Sequence, residues 1–188
     1  KGATEGLNLV AQSYARSTLK AGDEILISEL EHHSNIVPWQ LVAQATGAKI
    51  RAIPILDDGQ IDLEAYFKLL NPRTKIVAIT QVSNALGTVT PLAEMIPAAH
   101  AVGAKVVVDG CQATPHIALD LPAMDCDFFV FSGHKVYGPN GIGILYGKPE
   151  LLEAMPPYQG GGEMIDFVSR PARRRLSRPS PSAPPSTM

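Results

Sequence analysis

Four short runs in this chain are apolar almost throughout: Glu24-Ile25-Leu26-Ile27-Ser28, Lys75-Ile76-Val77-Ala78-Ile79-Thr80, Val106-Val107-Val108 and Phe128-Phe129-Val130-Phe131. A strand with one wet face alternates polar and apolar residues, so runs without that alternation belong to a sheet covered on both sides. Helical punctuation fills the intervals. Thr4 reads as the N-cap of an amphipathic helix carrying Leu7, Val10, Ala11 and Tyr14 and ending near Lys20. Pro38 suits the first turn of a helix that Gly47 closes, and Asp62 caps another that Asn71-Pro72 stops. Thr90-Pro91 opens a helix that Gly103 ends, while 49–55 and 143–146 read as further strands and Asp57-Asp58-Gly59 as a turn. Strands alternating with helices of this length predict an α/β fold, a mostly parallel sheet flanked by helices.

The chain has 188 residues, 45% hydrophobic and 18% charged, enough for one sizeable core and too few for two comfortable domains. The charge is uneven. Of 16 basic residues, Arg173, Arg174, Arg175 and Arg178 lie in a stretch without acids, so residues 1–170 carry 12 basic and 18 acidic groups, a net −6. A body of that sign is not built to hold nucleic acid. The only cysteines, Cys111 and Cys126, imply no disulfide framework and favour a reducing, cytoplasmic setting. No apolar run approaches the roughly 18 residues of a membrane span, and no signal peptide is visible. We therefore expect two parts: a core over 1–169 and a Pro/Arg/Ser-rich tail over 170–188. The tail lacks periodicity, is expected to be disordered and is expected to be foreign to the fold.

Polar residues stand where the apolar runs end. His32 follows the first run, Asn84 and Asp109 follow the next two, and Ser132-Gly133-His134-Lys135 follows the last. In open α/β sheets, ligands bind beyond the carboxyl ends of the strands, and a nearby helix start can hold phosphate. A lysine leaving an apolar strand can be a solvated side chain. In a partly desolvated pocket its pKa falls instead, as a Schiff-base lysine requires. A metal reading of His32, His33 and Asp109 is weaker, because adjacent histidines on one loop rarely both coordinate, and no metal is expected. Gly160-Gly161-Gly162 lacks the Lys-Ser/Thr that would make it a P-loop. His116 reads as a surface histidine, and His100 as a residue near a helix C-terminus, where positive charge is favoured.

Several motifs in order carry a specific resemblance. Lys1-Gly2-Ala3-Thr4-Glu5-Gly6-Leu7-Asn8, Glu31-His32-His33-Ser34-Asn35, Asp109-Gly110-Cys111-Gln112-Ala113, Ser132-Gly133-His134-Lys135 and Tyr137-Gly138-Pro139-Asn140-Gly141-Ile142-Gly143 resemble the pyridoxal 5'-phosphate (PLP) cysteine desulfurases of the SufS/CsdA type. These are class V aminotransferase relatives of fold type I, and the resemblance covers residues 1–169, much of the large cofactor domain. It implies that Lys135 binds PLP as a Schiff base and then acts as the base on the substrate Cα. Asp109 would pair with the ring nitrogen, His32 would lie on the ring face and assist proton transfers, and Gln112 would bond the phenolic oxygen. Asn84 would help to position cofactor or substrate, while Ser132, His134 and the helix start at Thr4 and Glu5 would hold the phosphate.

The resemblance further implies conversion of L-cysteine to L-alanine, sulfur transfer to an acceptor protein of iron–sulfur cluster assembly, and a homodimer. The family's persulfide-forming cysteine and its substrate-carboxylate arginine lie downstream of this chain. Cys111 and Cys126 match neither position; Cys111 is expected to fill a small-residue slot and Cys126 to be a buried structural thiol. Alternatives remain: another class V enzyme, such as a selenocysteine lyase or an aminotransferase, or an inactive truncated remnant.

Overall fold

A computed structural model describes residues 1–161. The expected tail over 170–188, the end of the core over 162–169 and Gly162 lie outside the described residues. Six strands form one sheet: β1 (Glu24–Ser28), β2 (Lys49–Ile53), β3 (Thr74–Thr80), β4 (Lys105–Asp109), β5 (Phe128–Ser132) and β6 (Gly143–Gly147). Their order is β2-β1-β3-β4-β5-β6, with every pairing parallel except β5 with β6. The α/β expectation holds, and the one antiparallel pair follows from the short connection through residues 133–142, too short for a crossover helix.

Because successive side chains point to opposite faces, each apolar run feeds two cores. Ile25, Ile27, Ile76, Ala78, Val107, Phe128 and Val130 pack on one face with Leu7, Val10 and Trp39. Leu26, Val77, Ile79, Val106, Val108 and Phe129 pack on the other with Tyr66, Met95 and Ile96. The first face is covered by α1 (Ala3–Leu9), which continues through a π-helical segment Val10–Ala15 into α2 (Arg16–Thr18), and by α3 (Val37–Thr46). The second is covered by α4 (Leu63–Leu69) and α5 (Leu92–Ala101). Phe128 and Phe129 are fully buried, each contributing on the order of 1.5–3 kcal/mol of transfer free energy. The edge strand β2 is shorter than the expected 49–55 and exposes Lys49 and Arg51, charges that discourage pairing with another chain.

Asp62 caps α4 by accepting the Ala65 N–H at 2.9 Å, and Gly47 ends α3 in the left-handed region at φ 78°, both as expected. The cap at the first helix is a correction. Thr4 lies inside α1, and the capping position belongs to Gly2, at φ 93°. The Ala3 N–H is taken instead by Ser132 Oγ at 2.8 Å, from 129 residues away. A long-range acceptor thus replaces the local one that the Thr4-Glu5 pattern suggests. Two short helices, α6 (Leu121–Met124) and α7 (Pro149–Ala154), were not signalled by hydrophobic periodicity; α6 depends on the Asp120 side chain accepting the Ala123 N–H.

Candidate active site

Strand order places a natural cleft. From β1 the chain crosses outward to β2, and from β3 it crosses the other way to β4, so the loops leaving β1 and β3 diverge. Such a switch point leaves a crevice at the carboxyl ends of the strands. Here a cleft of about 410 Å³ is lined by Ala3, Thr4, His32, Ser34, Thr80, Val82, Asn84, Asp109, Cys111, Gln112, Ser132, His134 and Lys135. Eight of the nine expected site residues therefore meet. Glu5 does not line this cleft; it faces a neighbouring groove.

Asp109 ends β4 and is 4% exposed. Its Oδ1 accepts the Cys111 N–H at 3.0 Å, and the Cys111 thiol lies beside the same carboxylate. The turn that follows requires glycine: a Cβ on Gly110 would sit 1.9 Å from the Phe129 ring. His32 extends from the loop after β1. Its Nδ1 accepts the Ser34 N–H at 3.1 Å, so in the neutral imidazole the proton resides on Nε2. Lys135 lies on a 3-10 turn, Gly133–Val136, closed by the Gly138 N–H on the Gly133 carbonyl at 2.9 Å. That turn carries Lys135 off the strand end, and the side chain is exposed. The desolvation expected of it from the apolar run before it is thus not supplied by these residues. Lys135, His134, Asn84 and Gln112 make no side-chain hydrogen bond or ion pair among the described residues.

Both thiols are unsuited to nucleophilic work. Burial, reinforced by Asp109, pushes Cys111 up to about 12, and burial pushes the fully buried Cys126 up to about 11. The small-slot and structural readings of the two cysteines accord with these environments. His116 is exposed, as expected. His100 does more than sit near a helix end: its Nε2 lies 2.7 Å from Oδ2 of the buried Asp127, at the opposite end of the sheet. No group of three metal-ligating side chains occurs among the described residues, and none of their helices is long and apolar enough to cross a membrane.

The donor set fits PLP. A nearly buried carboxylate at the cleft suits a protonated ring nitrogen, and Lys135 supplies an amine without a protein partner among the described residues. The Ser132 hydroxyl, whose oxygen already accepts from Ala3, retains its hydrogen for a phosphate oxygen beside the first turn of α1. The cleft volume falls within the usual range for small-molecule sites.

A fold-type-I cofactor domain with a lysine, a buried aspartate and a histidine converging at its switch point is the class that fold and site define. The aminotransferase class-V family matches residues 1–182, and the chain belongs to it. It is 62% identical over 169 residues to a cysteine desulfurase of Dickeya dadantii, covering 90% of this chain and 41% of that protein. A probable cysteine desulfurase of Vibrio cholerae is 60% identical over 169 residues, with coverage of 90% and 42%. Among solved structures, the cysteine desulfurase CsdA of Escherichia coli superposes with a TM-score of 0.89 at 49% identity, covering 95% of this chain and 45% of that one. A C-DES mutant with glycine covalently linked to its PLP cofactor gives a TM-score of 0.79 at 26% identity, with coverage of 95% and 47%. The chain thus spans about two fifths of the length of these curated relatives.

Glu31 and Asp127 are the residues that sequence reasoning passed over. Glu31 stood inside a quoted motif without a role, and Asp127 lay between a cysteine and an apolar run. Asp127 carried one signal, a carboxylate directly before a buried strand, where it demands partners; Glu31, three residues past β1, carried none.

Proposed function

We propose that this chain forms the cofactor-binding part of a PLP-dependent cysteine desulfurase, which converts L-cysteine to L-alanine and passes the sulfur to an acceptor protein of iron–sulfur cluster assembly. The observation that carries the reading is the convergence of Lys135, Asp109, His32, Gln112, Asn84, Ser132, His134 and Thr4 on one cleft. PLP, when bound, supplies an electron-withdrawing ring that makes the substrate Cα proton removable. Asp109, 4% exposed, would pair with the ring nitrogen and favour its protonated form. Lys135 would hold the cofactor through its Nζ and, once released, would take the Cα proton. His32 would pack on the ring face and have Nε2–H available for the reacting atoms, its Nδ1 being occupied by the Ser34 N–H. Gln112 would orient the ring through its phenolic oxygen, Asn84 would steady cofactor or substrate, and Ser132, His134 and the start of α1 at Thr4 would hold the phosphate; Glu5, outside the cleft, has no such role.

The sulfur-accepting thiol comes from outside the described residues, since Cys111 and Cys126 are both held protonated at neutral pH. Free rather than bridged cysteines support a cytoplasmic setting. A homodimer is supported by Leu56, Leu86 and Val89, three exposed apolar side chains that line one shallow groove.

The reading is tested by mixing the chain with PLP, reducing with borohydride and locating the adduct by mass spectrometry. A visible absorption band and an adduct on Lys135 are expected; an adduct elsewhere, or none in the folded chain, refutes it. Sulfide release from L-cysteine with dithiothreitol should be near background, and full turnover would contradict the assignment of the thiol to another segment.

A further inference from the structure

We propose that Glu31 is a positioning residue for the cofactor ring: its carboxyl ties the loop bearing His32 to the end of β3 and thereby sets the spacing between the His32 imidazole and the Asp109 carboxylate. This rests on the reading of the cleft as a PLP site.

Glu31 immediately precedes His32 and is 8% exposed. Its Oε1 accepts the Thr80 N–H at 2.9 Å and the Ser28 hydroxyl at 2.5 Å, and its Oε2 accepts an Asn35 Nδ2–H at 2.6 Å. Asn35 is fully buried and accepts the indole N–H of fully buried Trp39 at 2.9 Å, which anchors the assembly in α3. Asn35 also donates its backbone N–H to the His32 carbonyl at 2.7 Å. Thr80, the last residue of β3, pairs in register with Asp109 of β4, and the Asp109 carbonyl accepts the Gln81 N–H at 2.9 Å.

The carboxyl thus ties together the segments leaving β1 and β3, which diverge at the switch point beyond the last paired residues of the two strands. Both groups that would grip the ring, one on its face and one at its nitrogen, hang on the two sides of this bridge. All three partners are donors, so glutamine would set its own NH₂ against an N–H and leave buried donors unpaired.

Electrostatics agree with this placement. Burial raises Glu31 to about 7 against the pull of its three donors, and the Asp109 charge adds to the rise. Asp109 is the charged group acting on Glu31 from β4; Ser28, Thr80 and Asn35 are neutral, and His32 is its chain neighbour. A cationic ring nitrogen on Asp109 offsets that repulsion, so cofactor binding and Glu31 ionisation favour one another.

The test titrates PLP into the 188-residue chain and into Glu31→Gln and Glu31→Ala, following visible absorption and the visible circular dichroism of bound cofactor. Affinity should fall on the order of 10-fold in Glu31→Gln and up to 100-fold in Glu31→Ala, the range found for partners that orient metal ligands. The dichroism per bound cofactor should weaken, reporting a looser ring. The affinity advantage of the parent should grow as pH rises through about 7, the value at which Glu31 ionises. Glu31→Gln, nearly isosteric, carries the test if Glu31→Ala fails to fold. Variants that match the parent in affinity, dichroism and pH profile overturn the inference alone. A parent that takes up no PLP overturns the reading of the site and the inference with it.

Discussion

The two ends of the sheet treat charge in opposite ways. At the amino ends of β4 and β5, Asp127 is fully buried, and its Oδ2 receives His100 Nε2 at 2.7 Å and the Val106 N–H at 2.8 Å. Lys105 Nζ lies 3.1 Å from Asp127 Oδ1, and Lys148 Nζ lies 2.6 Å from Asp125 Oδ1, which holds Asp125 below the usual carboxylate range. At the carboxyl ends, Lys135, His134, Asn84 and Gln112 lack protein partners among the described residues. A structural charge is saturated by its neighbours, because a buried ion without partners costs several kcal/mol. The groups proposed to bind the cofactor are left open, and on that reading their partner is the ligand. Glu31 crosses the division, a saturated carboxyl standing inside the functional end.

That contrast can be broken first at Lys135. Lys135→Ala should abolish covalent capture of PLP while leaving the urea midpoint almost unmoved, as surface substitutions shift stability within about 0.5 kcal/mol. A large loss of stability would place Lys135 among the structural charges.

The converse change lies at the other end. Asp127→Ala strands His100 and Lys105 beside an uncompensated hole and should cost about 3–5 kcal/mol in urea denaturation. PLP affinity of the remaining folded protein should be unchanged, and a parallel loss of affinity would show that the two ends are coupled.

Glu31 sharpens the comparison through pH. Its carboxyl sits at about 7 in the fold against an ordinary 4.5, so between these values the folded chain holds a proton that the unfolded chain has shed. Stability from this group is fully present below the lower value and falls as pH rises through the higher one. The total is about 3 kcal/mol at about 1.36 kcal/mol per unit. The difference in urea midpoint between the parent and Glu31→Gln should therefore change across that window, the parent losing ground toward neutral pH. A constant difference across that window would contradict the burial argument.

The smallest effect is expected at Cys111. Cys111→Ala should shift stability by less than about 1.5 kcal/mol, as small volume changes in a core do, and should leave PLP uptake intact. Rapid alkylation of Cys111 at neutral pH would contradict a thiol held near 12.

Much of this was legible in the chain. Apolar runs without alternation required a sheet buried on both faces, and Ile25 and Ile27 against Leu26 show both faces filled. Local chemistry also carried through where both partners lie within a few residues, as in the Asp62 cap of α4 and the Gly47 stop of α3. The order of polar residues after strands located His32, Asn84, Asp109 and Lys135, because a parallel sheet brings all its carboxyl ends to one side.

What tertiary structure alone decided involves partners distant in sequence. The first helix starts at Ala3 rather than beyond Thr4 because Ser132 supplies its acceptor. Lys135 is exposed because a 3-10 turn lifts it from β5, a step no apolar pattern encodes. Glu31 becomes a clamp only because β3 lies beside β1, which brings the Thr80 N–H to within 2.9 Å across 49 residues. Periodicity records which face of an element is buried. Hydrogen-bond satisfaction of a buried polar group depends on which strand folds next to it, and that is settled when the sheet assembles.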